Sequence, residues 1–123
     1  MPILINAVLA RDVILGPDGI KGMVDRINDR DEFVVAVPSE FPVKLGFIFT
    51  DTPHSVFAIS TEVRSYLGQP LWYDSGKIET PSSGRGEFAL ELPIPVRDVG
   101  PCVVSLRLDG IEAWSQRVFF ALA

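Results

Sequence analysis

One histidine and one cysteine are the residues of this 123-residue chain with the widest chemical repertoire. His54 has Ser55 beside it and Asp51 three residues before it. A catalytic histidine requires a nucleophile or a substrate to act on and a partner that orients its ring. Because polar turns bring such residues together by chance, we expect His54 to lie in a turn without a catalytic role.

Few residue sets in the sequence resemble metal or cofactor ligands. A zinc site of the Cys₄, Cys₂His₂ or His₃ type needs more cysteine and histidine than one copy of this chain supplies. The acidic segment 25–32 does not match the spacing of the calcium-binding loop, and Arg26 and Arg30 offset part of its charge. The segment 82–86 lacks the lysine of a phosphate-binding loop. We therefore expect a solvated loop at 25–32, no metal and no cofactor.

Cys102 precedes Val104 and Leu106 at a spacing of two residues, which places all three on one face of a strand. A thiol on an apolar face behaves as a small hydrophobic group with little reactivity. The pattern predicts that Cys102 lies in the core.

Charge and hydropathy exclude several classes of function. Eleven Lys and Arg against sixteen Asp and Glu give a net charge of −5, which disfavours binding to nucleic acid. No run of about 18 apolar residues could form a membrane-spanning helix. The apolar N-terminal segment lacks a basic region and contains Asn6, so it resembles a first strand more than a secretory signal. A single cysteine fits a reducing compartment, and we predict a cytoplasmic location.

Apolar and polar residues alternate along most of the chain, as in strands with one dry face and one wet face. The alternation covers residues 41–49, 55–66, 88–92 and 104–108. We predict a single all-β domain, 1–123, folded as a two-layer antiparallel β-sandwich of seven or eight strands with little helix.

Glycine, proline and aspartate divide these runs. Asp109-Gly110 is the strongest hairpin signal, because both residues tolerate the positive φ of a two-residue type I′ turn. The segments 16–19, 51–53 and 81–84 have turn composition as well. Because proline cannot donate to a sheet ladder, we predict a crossover loop from Pro93 to Pro101.

Two interpretations of residues 20–27 stay open. Ile20, Met23, Val24 and Ile27 have the spacing of a helix face. Gly19 and Gly22 each disfavour that helix by about 1 kcal/mol. We prefer a second strand to a helix.

Two pairs of adjacent aromatic residues, Trp72-Tyr73 and Phe119-Phe120, cannot each direct both rings into the core from one strand. An outward ring that stays uncovered is typical of a surface for protein contacts. We predict that these four residues form the interaction surface. Trp114 is expected in the core.

Four segments carry a resemblance to known proteins: Asn6–Val13, Gly22–Ile27, Phe41–Val43 and Val104–Gly110. They are similar to an uncharacterised bacterial family of small proteins, a domain of unknown function of about this length. The resemblance spans nearly the whole chain and implies a β-sandwich with a strand at 20–27. It implies no catalytic residue. The closing hairpin also resembles those of immunoglobulin-like and fibronectin-like modules, a likeness of fold alone.

The absence of a recognisable reactive site favours a non-enzymatic protein-interaction or structural module that binds itself, as a homodimer, or another protein. A second hypothesis is a module that binds a carbohydrate or another small ligand, with Trp72 and Tyr73 exposed beside polar residues. A third is a hydrolase, in which carboxylates such as Asp29 and Asp31 would share a pocket and have a raised pKa.

Overall fold

A computed structural model describes residues 1–123 as nine strands in two sheets. The strands are β1 (Ile3–Gly16), β2 (Gly19–Arg26), β3 (Glu32–Val35), β4 (Ser39–Thr50), β5 (Val56–Ser65), β6 (Pro70–Glu79), β7 (Arg85–Val96), β8 (Gly100–Leu108) and β9 (Ile111–Leu122). No helix long and apolar enough to cross a membrane is present. The nine strands in two sheets confirm the predicted all-β class.

The two sheets have the strand orders β2-β1-β4-β7 and β3-β9-β8-β5-β6. Neighbouring strands are antiparallel except for β3 and β9, which are parallel over four residue pairs. The strands number nine, one more than the upper end of the prediction. The preferred strand at residues 20–27 is confirmed by β2, and Ile27 follows it with its N–H bonded to the carbonyl of Leu9 at 2.8 Å.

The core lies between the sheets and consists of the inward residues of the alternating runs. Every second residue of β4 from Phe41 to Phe49 is buried, and so is every second residue of β5 from Phe57 to Val63. The rings of Phe49 and Phe57 meet edge to face across the two sheets with centroids 4.8 Å apart. The cluster contains 19 buried residues, Cys102 among them, and the half-buried Trp114 packs against it.

The Asp109-Gly110 turn forms as predicted. Both residues have positive φ, 51° and 78°, and they join Leu108 of β8 to Ile111 of β9. The Asp109 carboxylate also accepts a hydrogen bond from the N–H of Ala58 at 2.9 Å. This contact ties the hairpin to the start of β5.

The prediction of a crossover loop from Pro93 is wrong in its extent. β7 continues through Val96 and pairs with β4 along its whole length, Pro93 and Pro95 included. β7 is an edge strand, so a proline nitrogen that faces away from β4 interrupts no ladder bond. The crossing between the sheets takes only residues 97–99.

The β1–β2 hairpin folds back over the outer face of its own sheet. We call residues 12–26 the arm. Gly46 of β4 is directed outward, and a Cβ placed on it would lie 3.2 Å from side-chain carbons of both Val13 and Ile20. The N–H of Ile20 donates to the Glu87 carboxylate at 3.3 Å. The arm thus packs on β4 and reaches β7 with its tip.

Candidate interaction surfaces

His54, Ser55 and Asp51 do not form a catalytic arrangement. The Ser55 hydroxyl donates to the Asp51 carboxylate at 2.9 Å and also approaches the hydroxyl of Thr80 at 3.1 Å. His54 is exposed, has φ of 65°, and donates its backbone N–H to the carbonyl of Thr80. The histidine therefore lies in the turn where it was expected, and its ring has no orienting partner.

The acidic segment after β2 forms a turn. The Asp31 carboxylate accepts the backbone N–H of Asn28 at 2.8 Å, while Asp29 is exposed at the edge of an open depression beside Arg26 and Arg117. No group of three or more His, Cys, Asp or Glu side chains is arranged to hold a metal ion. Asp29 and Asp31 face solvent rather than a shared pocket.

Cys102 is 4% exposed within the core, as the alternation predicted. Burial raises the pKa of its thiol to about 11, although backbone hydrogen bonds oppose this change. The thiol is therefore protonated and enclosed at neutral pH.

Trp72 and Tyr73 lie on opposite faces of β6. Trp72 pairs with Val63 and packs half-buried against the core, whereas Tyr73 is 60% exposed on the outer face of the sheet. Val63 sets this choice, because residues directly opposite each other share a face and Val63 belongs to the inward row of β5. A platform made of both rings is therefore not formed.

Phe119 and Phe120 divide in the same way. Phe120 is buried and meets Phe41 edge to face at 5.2 Å. Phe119 is directed outward and half-buried, with the guanidinium of Arg117 5.5 Å from its ring centroid. Of the four predicted interaction residues, Tyr73 and Phe119 face outward, and their role in binding stays a prediction.

The arm carries exposed apolar side chains on both of its faces, which the aromatic pattern did not indicate and which we call the apolar strip. Ile14, Leu15, Met23 and Val24 are each between 43% and 50% exposed. A 2.8 Å ion pair joins Asp12, at the base of the arm, to Lys44 of β4. The hydrogen bond from Lys44 holds the pKa of Asp12 below its usual range. The strip could have been found in the sequence only if residues 20–27 had been known to pack on an outer sheet face.

The outer edge of β2 has no partner strand. β1 is the neighbour of β2 on one side, and the other side is free. Residues 21–26 are exposed except for the partly covered Gly22, which has no atom within 4 Å of its Cβ position. Lys21 and Asp25 lie two residues to either side of Met23. The edge is thus accessible and apolar at its centre, with Lys21 and Asp25 on the same face as Met23 and Arg26 on the opposite face.

A groove separates the edge strands β6 and β7 on the other side of the molecule. It has a volume of about 380 Å³ and is open to solvent. Its walls include the apolar side chains Ile59, Ile78 and Leu90 and the polar residues Thr61 and Asp74. We call it the β6–β7 groove.

Neither a protein-family model nor a curated protein sequence matches the chain. A solved structure of the Pseudomonas fluorescens alkylpurine DNA glycosylase AlkC, bound to DNA containing an abasic site analogue, is similar over 72% of this chain at 13% identity and a TM-score of 0.49. The chain matches only 27% of that glycosylase chain. A likeness of this size carries no inference about function, and the resemblance to a bacterial family of small proteins stays a prediction.

Proposed function

We propose that the chain is a non-enzymatic protein-interaction module that associates with a second copy of itself through the free edge of β2. The observation that supports this most directly is the exposed, unpaired edge of β2 beside the apolar strip of the arm. Unpaired backbone groups on an accessible edge form a ready template for another strand. The cytoplasm is the proposed compartment, on the basis of the single unpaired cysteine.

Charge complementarity favours a second copy over an unrelated strand. When two β2 strands pair antiparallel about a two-fold axis at Met23, Lys21 of each copy lies opposite Asp25 of the other. A lysine on an edge strand normally discourages pairing. In the two-fold pair, however, Lys21 of each copy lies opposite the Asp25 carboxylate of the other copy, so neither lysine is left unpaired.

The apolar strip adds a hydrophobic contribution to the backbone pairing. Met23 would meet its own copy at the axis on one face of the joined sheet, and the half-exposed Val24 of each copy would lose solvent contact on the other face. Apolar burial contributes roughly 25 cal/mol per Å². A stable interface buries at least about 1,000 Å² in total, so the strip and the strand edge must act together.

Reversal of one charge tests the pairing. We expect Lys21→Asp or Asp25→Lys alone to place like charges opposite each other twice in each dimer. Cross-strand charge pairs contribute roughly 0.2–1 kcal/mol each, so the dissociation constant should rise about tenfold or more. Sedimentation equilibrium at low salt measures this change. Lys77→Asp, on β6, is the matched control and should leave the dimer unchanged.

A mixture of the two single variants gives the more specific result. One copy with Lys21→Asp and one with Asp25→Lys restore both opposite-charge pairs, so the mixture should dimerise although each variant alone does not. The double variant Lys21→Asp/Asp25→Lys should dimerise by itself for the same reason. Monomeric wild-type protein at all concentrations, or a mixture that stays monomeric, contradicts the proposal.

The other two hypotheses receive less support. A carbohydrate platform at Trp72 and Tyr73 has one outward ring, because Trp72 packs against the core. A carboxylate-dependent hydrolase lacks a pocket shared by Asp29 and Asp31. Self-association therefore remains the function that the geometry supports best.

A further inference from the structure

The floor of the β6–β7 groove is a row of inward-facing positions on β5 and β6. Gly76 pairs with Ile59, and Asp74 pairs with Thr61. Ile59 and Thr61 belong to the buried row of β5, so their β6 partners face the same way. At the edge of the sandwich, the β6 half of this row is open to solvent at two positions. Gly76 is the apolar position and Asp74 is the polar one.

Gly76 leaves space at the apolar position. A Cβ placed on this residue would have no atom within 4 Å, although the residue faces the interior of the sandwich. Ile59, Ile78 and Leu90 line the same groove. The position lacks a side chain of its own and can admit one from outside.

Thr61 makes the neighbouring position polar. The residue is 3% exposed and lines the groove, and none of the side-chain hydrogen bonds in the chain involves its hydroxyl. Asp74 lies directly opposite, and one of its carboxylate oxygens accepts the N–H of Ser75 at 2.9 Å. The Thr61 hydroxyl can donate to or accept from a bound group, and the other Asp74 oxygen makes no hydrogen bond within the chain. Asp74 and Glu91 give the groove lining two carboxylates against one cation, Lys77.

We propose that the β6–β7 groove binds an extended peptide that pairs with the free edge of β6. β6 has β5 as its only neighbour, so alternate backbone groups of β6 face away from the sheet. Side chains two residues apart in an extended peptide lie on one face, as Gly76 and Asp74 do. The peptide would therefore place an apolar side chain over Gly76 and a lysine or arginine between Thr61 and Asp74.

The lining of the groove favours a peptide over a sugar. No aromatic ring lines the groove, and aromatic faces are what sugars stack on. A strand edge instead supplies a ladder of backbone donors and acceptors, and the pocket beside it supplies specificity. The groove lies between β6 and β7 and includes no residue of the arm, so the inference is independent of self-association.

A short synthetic peptide is a suitable probe. It would be capped at both ends and consist of threonines with one valine and one lysine, two residues apart, at its centre. Both orders of valine and lysine are needed, since either strand direction is possible. A third peptide with glutamate in place of lysine serves as the charge control. Shifts of the β6 amide signals in NMR titrations report binding.

Gly76→Val tests the apolar position without loss of the fold. The added side chain enters open space, and valine suits a strand better than glycine does, so the unfolding midpoint should stay the same or rise. Binding of the valine-lysine peptide should weaken about tenfold or more, because the space for its valine is filled. Ser115→Val, at an exposed position of β9 outside the groove, is the matched control and should bind like the wild type.

Asp74→Asn should reduce the preference for lysine over glutamate while the valine is still accepted. Three outcomes would overturn the proposal. They are wild-type protein that binds neither order of the peptide, Gly76→Val protein that binds as tightly as wild type, and a wild-type dimer that dissociates on Gly76→Val. The third outcome would mean that the groove holds a second copy of this chain.

Discussion

The Asp51 carboxylate collects three hydrogen-bond donors where β4 ends. They are the N–H of Thr52 at 2.8 Å, the hydroxyl of Ser55 at 2.9 Å and the terminal ammonium of Met1 at 3.2 Å. Burial by itself raises the pKa of this carboxyl, but the three donors outweigh it and hold the pKa below the usual range. The ionised carboxylate thus stabilises the turn between β4 and β5.

Acid should remove this stabilisation. Because the folded-state pKa of Asp51 lies below the unfolded value of about 4, the stabilisation is complete above that value. It is lost as the pH falls through the lower folded-state pKa. We expect the loss of unfolding free energy caused by Asp51→Asn to be largest near neutral pH and to shrink toward pH 2 in urea titrations. Asp29→Asn, at an exposed site, is the control, and an Asp51→Asn effect independent of pH would contradict this assignment.

From the sequence, the strand face on which a residue lies was easier to predict than what that residue does. The inward direction of Cys102 follows from its phase with Val104, because strand periodicity is a local property. Which ring of Trp72-Tyr73 faces inward depends on β5, a neighbour that the sequence does not identify. The vacancy at Gly76 is likewise a property of two strands together, so the groove could not be inferred from β6 alone.

At the scale of the element, strands with a long alternation were predictable and the exceptions have physical reasons. β4 buries every second residue from Phe41 to Phe49 and β5 from Phe57 to Val63, whereas β3 has four residues and pairs parallel to a distant segment. β7 was predicted to end early because its prolines were assigned to a loop. β2 packs on the outer face of the sheet, over β4, rather than in the core. The apolar spacing in β2 therefore does not reveal which strand it covers.

The contact between the arm and β4 gives an element-scale prediction. Gly46→Val would place methyl groups against Val13 and Ile20, which already lie 3.2 Å from the glycine Cβ position. Overpacking of this kind costs about 1–3 kcal/mol. We expect urea unfolding to show a loss of that size for Gly46→Val and no loss for Gly76→Ala, where the Cβ enters open space. Equal stability of Gly46→Val and wild type would mean that the arm does not depend on close packing over β4.

The molecule has four edge strands, β2, β3, β6 and β7, which differ in the features that prevent pairing with another strand. β3 is only four residues long, and β7 carries Pro93 and Pro95 and is contacted by the tip of the arm. Short edges and prolines are common means of preventing unwanted pairing. β6 has Pro70 only at its start, and the exposed edge of β2 has no proline. The two less protected edges are the ones to which we assign binding.

The proposed two-fold axis at Met23 can be tested most directly by a cysteine at that position. Directly opposed residues of antiparallel strands have Cα atoms about 4.5–5.5 Å apart, which suits a disulfide. Cys102 need not be replaced, because burial raises the pKa of its thiol to about 11 and encloses it. Under mild oxidation, Met23→Cys should form a covalent dimer in high yield, and Ser75→Cys should not. No covalent dimer from Met23→Cys, or equal yields from both variants, would contradict association through β2.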